Sequence, residues 1–69
     1  MTKYLVIFEK GENSFGAYVP DLPGCAVVAE TRDEALTLIQ EAIKLHVEDM
    51  REAGTPVPKP ASTTEFVQI

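Results

Sequence analysis

Several residue types are scarce in this chain, and their scarcity excludes some classes of site. One cysteine, Cys25, and one histidine, His46, occur in 69 residues. No internal disulfide can therefore form, and a single chain lacks the usual ligands of a zinc cage. The four glycines are scattered along the sequence, so there is no glycine-rich phosphate loop. We expect no metal and no cofactor.

Basic residues and long apolar runs are also few. Six Lys and Arg stand against 11 Asp and Glu, which gives a net charge of -5, whereas nucleic acid binding needs clustered bases. The longest apolar run, Tyr4 to Phe8, is too short to span a bilayer, and the first residues lack the pattern of a signal peptide. We expect a cytoplasmic protein without direct nucleic acid or membrane binding. Its acidity serves solubility or suits a basic partner.

The small size of the chain has a consequence for its stability. Sixty-nine residues predict a single domain, residues 1–69. Such a domain buries only about 60% of its unfolded surface, so it is often supported by disulfides, metals or self-association. Because the first two are not expected here, we predict a homo-oligomer.

Hydrophobic alternation and turn residues predict the order β-β-β-α-β, an α+β fold. Three strands, at about 3–10, 15–19 and 25–30, form an antiparallel meander. Both faces of the first strand are apolar, which favours a central position in the sheet. After the alternating prolines of Pro56–Pro60, strand-like composition returns at about 64–69 and predicts a short fourth strand.

One long helix is predicted at about 32–53. Its start is a capping box, in which the Thr31 hydroxyl accepts from the Glu34 amide and the Glu34 carboxylate reaches back to the Thr31 amide. Its end is marked by Gly54, which supplies a left-handed cap, and by Pro56, which prevents the helix from resuming.

The apolar face of this helix is wider than packing on one sheet requires. It covers roughly 200°, about twice the usual stripe. Leu38 and Leu45 lie on one border of this face. We predict that the chain associates with a second copy either through an edge of its sheet or through the side of the helix that carries Leu38 and Leu45.

The stretch from Val19 to Cys25 places two prolines, a glycine, a carboxylate and the only cysteine between two predicted strands. Prolines fix φ and remove amide donors, and Gly24 can adopt a positive φ, so we expect a stiff, exposed turn. Asp21 has two interpretations: it bonds to amides of its own turn, or it offers a carboxylate to a basic partner. The candidate partner-binding residues are Asp21, Leu22, Pro23, Gly24 and Cys25.

A catalytic role is not predicted. Cys25 follows a glycine and could be a nucleophile with His46 as its base, but nothing in the spacing brings the two together. A small strand residue and a core or interface histidine are the favoured interpretations. Acid residues near the turns could converge in a hydrolase site, although no pattern supports this. We expect no enzymatic activity.

The order of motifs resembles a known family, the small HicB-like antitoxins of bacterial type II toxin–antitoxin pairs. The resemblance rests on an apolar first strand, Phe15 to Val19 leading into Pro20-Asp21-Leu22-Pro23-Gly24-Cys25, and Glu30-Thr31 before the Glu34-Ala35-Leu36 start of a helix. The alternating prolines from Gly54 to Pro60 extend it over nearly the whole chain. The Pro-Asp-Leu-Pro-Gly block followed by the Glu-Ala-Leu helix is its most specific part.

This resemblance implies a partial ribonuclease-H-like fold without that fold's nuclease carboxylates. It also implies a function, the binding and neutralisation of a small basic toxin that resembles double-stranded-RNA-binding proteins and cleaves messenger RNA. The acidic balance of the chain fits such a partner. The alternative is a solitary structural or small-ligand-binding domain, in which the turn serves only to fold the sheet.

Overall fold

The computed structural model describes residues 2–69, in which three strands precede one long helix. The elements are β1 (Ile7–Lys10), β2 (Phe15–Tyr18), β3 (Ala26–Ala29) and α1 (Arg32–Glu52). The sheet order is β1-β2-β3, and both neighbouring pairs are antiparallel. The predicted α+β class, with a three-stranded meander before a long helix, is confirmed. Its ribonuclease-H-like character stays a prediction.

The position of β1 in the sheet differs from the prediction. β2 lies in the middle, and β1 is an edge strand. The ladder between them starts at the pair Ile7 and Tyr18, because β2 ends at Tyr18 and Pro20 beyond it has no amide to donate. Residues 3–6, which were expected to belong to the strand, therefore form no ladder. Apolar residues on both faces of β1 indicated that its side chains are covered, but they did not indicate whether the strand is paired on one edge or on both.

The two faces of the sheet have different environments. Phe8, Ala17 and Val27 are partners across the three strands, and they belong to the face that packs with the core under α1. The next row, Ile7, Tyr18 and Ala26, points to the opposite side because side chains alternate along a strand. The helix therefore covers only one face of the sheet.

The first turn of α1 is capped by Thr31. Its backbone is extended, and its hydroxyl accepts a hydrogen bond from the Glu34 amide at 3.1 Å, as predicted. The same hydroxyl also lies 3.2 Å from Oε1 of Glu34, to which it donates. The Glu34 carboxylate thus binds the Thr31 hydroxyl, whereas the sequence predicted a bond to the Thr31 amide.

The end of α1 is closed by a left-handed glycine. Gly54 has a φ of 72°, and its amide donates to the Arg51 carbonyl at 3.1 Å. The Thr55 amide donates to the Met50 carbonyl at 2.9 Å, which completes a Schellman motif. The predicted left-handed cap is confirmed, and within residues 2–69 no helix is long and apolar enough to cross a membrane.

The fourth strand predicted at 64–69 is not formed in this structure. Residues 55–69 adopt neither helix nor strand, and Phe66, Val67 and Ile69 are strongly exposed. A strand exists only when its amides and carbonyls find a partner edge. The last residues of this single chain lie against no such edge, so composition alone was not sufficient.

Candidate functional site

The segment Val19–Cys25, called here the double turn, consists of two consecutive four-residue turns. The Leu22 amide donates to the Val19 carbonyl at 3.1 Å, and the Cys25 amide donates to the Leu22 carbonyl at 3.0 Å. A proline occupies the second position of each turn. Gly24, with a φ of 83°, occupies the third position of the second turn, as a type II turn requires. The double turn is therefore encoded locally.

The double turn is much more deeply packed than the sequence predicted. Val19, Leu22 and Cys25 are buried, and Leu22 is 0% exposed. They are three of the six buried apolar side chains found in residues 2–69; the others are Ala17, Ala35 and Ile39. The expectation of an exposed connector was wrong for these three side chains, because the turns point every third residue into the core.

The Asp21 carboxylate accepts hydrogen bonds from a distant segment of the chain and not from the amides of its own turn. Its Oδ2 accepts hydrogen bonds from the Ala61 amide at 3.0 Å and from the Ser62 amide at 3.1 Å. Its Oδ1 accepts from the Ser62 hydroxyl at 2.8 Å. We call this set of three bonds the Asp21 clamp. It joins the double turn to residues about forty positions later in the chain, which neither sequence interpretation had foreseen.

The electrostatic state of Asp21 follows from this clamp. The Ser62 amide, the Ala61 amide and the Ser62 hydroxyl, in that order of importance, lower the pKa of the carboxyl below its ordinary value of 3.8. Each bond favours the ionised form, because a carboxylate accepts hydrogen bonds better than a neutral acid. Asp21 is therefore an ionised, half-buried structural carboxylate at neutral pH.

Cys25 lies in an environment that opposes nucleophilic chemistry. Its side chain is buried, and this burial raises the pKa of the thiol above 9.0, whereas reactive cysteines need a stabilised thiolate. His46 is half-buried on α1. Within residues 2–69, no three His, Cys, Asp or Glu side chains are grouped so that they could hold a metal ion.

A cleft of about 540 Å³ separates α1 from the proline-rich segment that follows it. The Tyr4 hydroxyl donates to the Pro58 carbonyl across one end of it. Lys44, Arg51 and Lys59 contribute to its lining and are exposed. No polar side chain of residues 2–69 is buried, whereas specific small-molecule sites hold converging polar groups in an enclosed pocket. The cleft gives the small-ligand alternative little support.

Residues 4–68 match the sequence profile of the HicB-like antitoxins of bacterial toxin–antitoxin systems. The match includes the double turn, the capped helix and the proline-rich segment. The chain belongs to the HicB-like antitoxin family.

The proteins similar to this chain differ in length and in description. An uncharacterised UPF0150 protein of Thermoplasma acidophilum is 38% identical over 58 residues, which cover 83% of this chain and 84% of that protein. A protein called antitoxin HicB 2, from Photorhabdus laumondii, is 36% identical over 61 residues, 83% of this chain and 44% of its own length.

An uncharacterised protein of Haemophilus phage HP1 is 33% identical over 64 residues, which cover 93% of this chain and 48% of the phage protein. The chain thus spans about half the length of the phage protein and of HicB 2. No solved structure matches it significantly.

In this HicB-like chain, the predicted partner-binding residues fall into two groups. Pro23 and Gly24 are exposed and Asp21 is half-buried, so they can meet a partner. The side chains of Leu22 and Cys25 face the core and can support that surface only from beneath.

The predicted oligomer contacts of this family member are on α1. Leu38 is 41% exposed and Leu45 is 60% exposed in the single chain. Leu38 also borders a shallow hollow of about 350 Å³, together with Asp33, Glu34 and Thr37. Both leucines are accessible, and their contact with a second copy stays a prediction.

Three residues that hold the candidate site in place were not predicted from the sequence: Ser62, Ala61 and Tyr4. Ser62 and Ala61 hold Asp21, and Tyr4 holds the proline-rich segment. The sequence contains only an indirect signal for them. The stiff segment Pro56–Pro60 is followed by the small residues Ala61 and Ser62, and the double turn contains a carboxylate, Asp21. Such a pairing becomes visible only when the fold brings the two segments together.

Proposed function

We propose that this chain is a non-catalytic, cytoplasmic antitoxin that binds and neutralises a small basic toxin which cleaves messenger RNA. The observation that carries the proposal is the family match over residues 4–68. The name of the Photorhabdus relative, antitoxin HicB 2, agrees with it. The net charge of -5 supports a basic partner, since opposite net charges accelerate association and favour the correct encounter.

The exposed part of the double turn is the proposed contact surface. Pro23 and Gly24 are exposed there, Pro20 and Pro23 fix the backbone, and the Asp21 clamp holds the turn from the side. A surface that is already rigid loses little conformational entropy when it binds. The turn can therefore present backbone carbonyl groups and shape to a partner, while the acidic remainder of the chain supplies the attraction.

Co-purification with the product of the adjacent reading frame tests this proposal. We expect a short basic protein to be encoded there and to be retained by the tagged full chain. Retention should weaken at high salt, because screening reduces the attraction between the two net charges. Failure of the two proteins to form a complex at low and at physiological salt would contradict the proposal.

Two charge substitutions locate the contact. Pro23→Lys adds a positive charge on the exposed turn and should weaken toxin binding by about tenfold or more, because like charges at a contact repel. Gln40→Lys adds the same charge on the exposed side of α1 and should change the affinity much less. Equal effects of the two substitutions would show that the double turn is not the contact surface.

A further inference from the structure

Residues 63–69, called here the tail, have the composition of a strand but bury none of their large apolar side chains. Phe66 and Ile69 are fully exposed, and Val67 is 77% exposed. Exposure of three large apolar side chains within four residues is unfavourable in water, and such groups mark contact sites. The tail is therefore a candidate contact site for a surface outside the single chain.

The base of the tail is fixed, although the tail itself is free. The Asp21 clamp holds Ala61 and Ser62, and Tyr4 holds the Pro58 carbonyl. The chain consequently leaves the fold from a defined point and in a defined direction. In the single chain the tail forms no strand with its own sheet, and its exposed side chains are accessible to a second molecule.

The β1 edge of the sheet offers the complementary surface. β1 has no neighbour on its outer side, and residues 3–6 before it form no ladder at all, although Tyr4, Leu5 and Val6 are half-buried. Such an unpaired apolar edge is a template for strand addition. The chain thus carries both an unpaired strand-like segment and an unpaired edge.

Charge favours β1 over the other edge strand. The tail contains one acid, Glu65, and no base, whereas residues 3–10 contain two bases, Lys3 and Lys10, and one acid, Glu9. The β3 edge is followed by Glu30, which would repel Glu65. Opposite charges on neighbouring strands stabilise their pairing, and like charges oppose it.

We propose that the tail of one copy adds to the β1 edge of a second copy as the fourth strand of its sheet. In this proposal two copies exchange their tails reciprocally, so that both β1 edges are occupied and the assembly closes as a two-fold dimer. Main-chain hydrogen bonds hold the added strand, and its apolar side chains become covered. The proposal does not depend on the identity of any toxin, since both surfaces belong to this chain.

The direct test uses two isotopic forms of the full-length chain. A labelled and an unlabelled sample are mixed in urea, refolded together and studied by isotope-filtered NMR. We expect contacts between the unlabelled tail and the labelled backbone of residues 3–10, together with a dimer mass in light scattering. A monomer mass, or a dimer without contacts between tail and β1, would overturn the proposal.

Two proline substitutions in the tail separate strand exchange from other dimers. Amides of consecutive strand residues point to opposite sides, so either Val67→Pro or Gln68→Pro removes a donor aimed at the receiving edge. We expect one of the two to weaken the dimer by about thirtyfold, since a reciprocal dimer loses roughly one net hydrogen bond at each of its two added strands.

The matched control is Leu45→Gln, which alters the exposed face of α1 and leaves the tail unchanged. This variant should remain a dimer if the tail carries the contact. A dimer that dissociates with Leu45→Gln, yet withstands both proline variants, would overturn strand exchange in favour of a helix contact. The tail packs on nothing in its own chain, so the proline variants should fold normally, which circular dichroism can verify.

Discussion

Asp21 and Ser62 are 41 positions apart, and two hydrogen bonds join them. The Ser62 amide donates to the Asp21 carboxylate at 3.1 Å, and the Ser62 hydroxyl donates to it at 2.8 Å. One carboxylate therefore connects the double turn, where we propose that a toxin binds, with the base of the tail, where we propose that a second copy binds. The two proposed contacts share this structural element.

Asp21→Asn should loosen the base of the tail. An amide retains one acceptor oxygen and loses the charge, and hydrogen bonds to a charged acceptor are roughly twice as strong as neutral ones. We expect faster hydrogen exchange at the Ala61 and Ser62 amides, with little change in α1. Asp49→Asn, an exposed site on α1, removes the same charge and should leave these amides protected. Unchanged protection in the Asp21 variant would contradict the clamp.

The clamp should also depend on pH in a defined direction. Because the pKa of Asp21 is lower in the folded chain than its ordinary value of 3.8, the folded state favours the ionised form. The stability that Asp21 contributes is complete well above pH 3.8 and is lost as the pH falls through the folded-state pKa. Carbon chemical shifts of the Asp21 carboxyl during an acid titration measure this. A midpoint above 3.8 would contradict it.

Leu22→Ala should strongly destabilise the fold, although the residue lies in a turn. The side chain is fully buried, and truncation of buried leucines costs about 2–5 kcal/mol. Val28→Ala, on a 71% exposed side chain, should cost less than about 1 kcal/mol. Urea unfolding measures both free energies. If Leu22→Ala prevents folding, Ile39→Val in the same core should cost about 1 kcal/mol. Equal costs for Leu22 and Val28 would contradict the packing described here.

Gly24→Ala should destabilise the double turn through its backbone and not through a clash. Apart from Gly24 itself and its two chain neighbours, no heavy atom lies within 4 Å of an added Cβ, but φ is +83°, and a left-handed conformation costs roughly 1–2 kcal/mol for residues with a Cβ. Gly16→Ala is the control, because its φ is not positive and its nearest contact is an ordinary 3.8 Å. It should be close to neutral in urea unfolding, and equal losses in the two variants would contradict the type II turn.

Cys25 should react slowly with alkylating agents at neutral pH. Its burial limits access and raises the pKa of the thiol above 9.0, so little thiolate is present. We expect alkylation of the folded chain to be slower than that of a small free thiol, and the difference should disappear in urea. Equal rates for the folded chain and the free thiol would show that the side chain is exposed.

The features that the sequence predicted well are those that neighbouring residues determine. Thr31 caps the helix through the amide three residues later, and Gly54 closes it through the carbonyl groups of the last turn. Pro23 and Gly24 likewise occupy the positions that a type II turn assigns to them. In each case, the residue that determines the feature and the backbone groups that it affects lie in one short segment.

The features that the sequence did not predict depend on distant segments. Nothing near Asp21 identifies Ser62 as its partner. The burial of Leu22 depends on α1 covering the double turn, and the apolar faces of β1 did not reveal that β2 would be central. The tail is the clearest case, because its composition is that of a strand while in the single chain it pairs with no sheet edge.

The most direct measurement of the antitoxin proposal is an inhibition titration of RNA cleavage. The basic protein encoded beside this chain is incubated with a messenger RNA, and the full-length chain is added in increasing amounts. The account predicts that cleavage stops near an equimolar amount and that Pro23→Lys requires a substantially higher concentration than Gln40→Lys. Cleavage that continues unchanged at a large excess of this chain would contradict the proposed function.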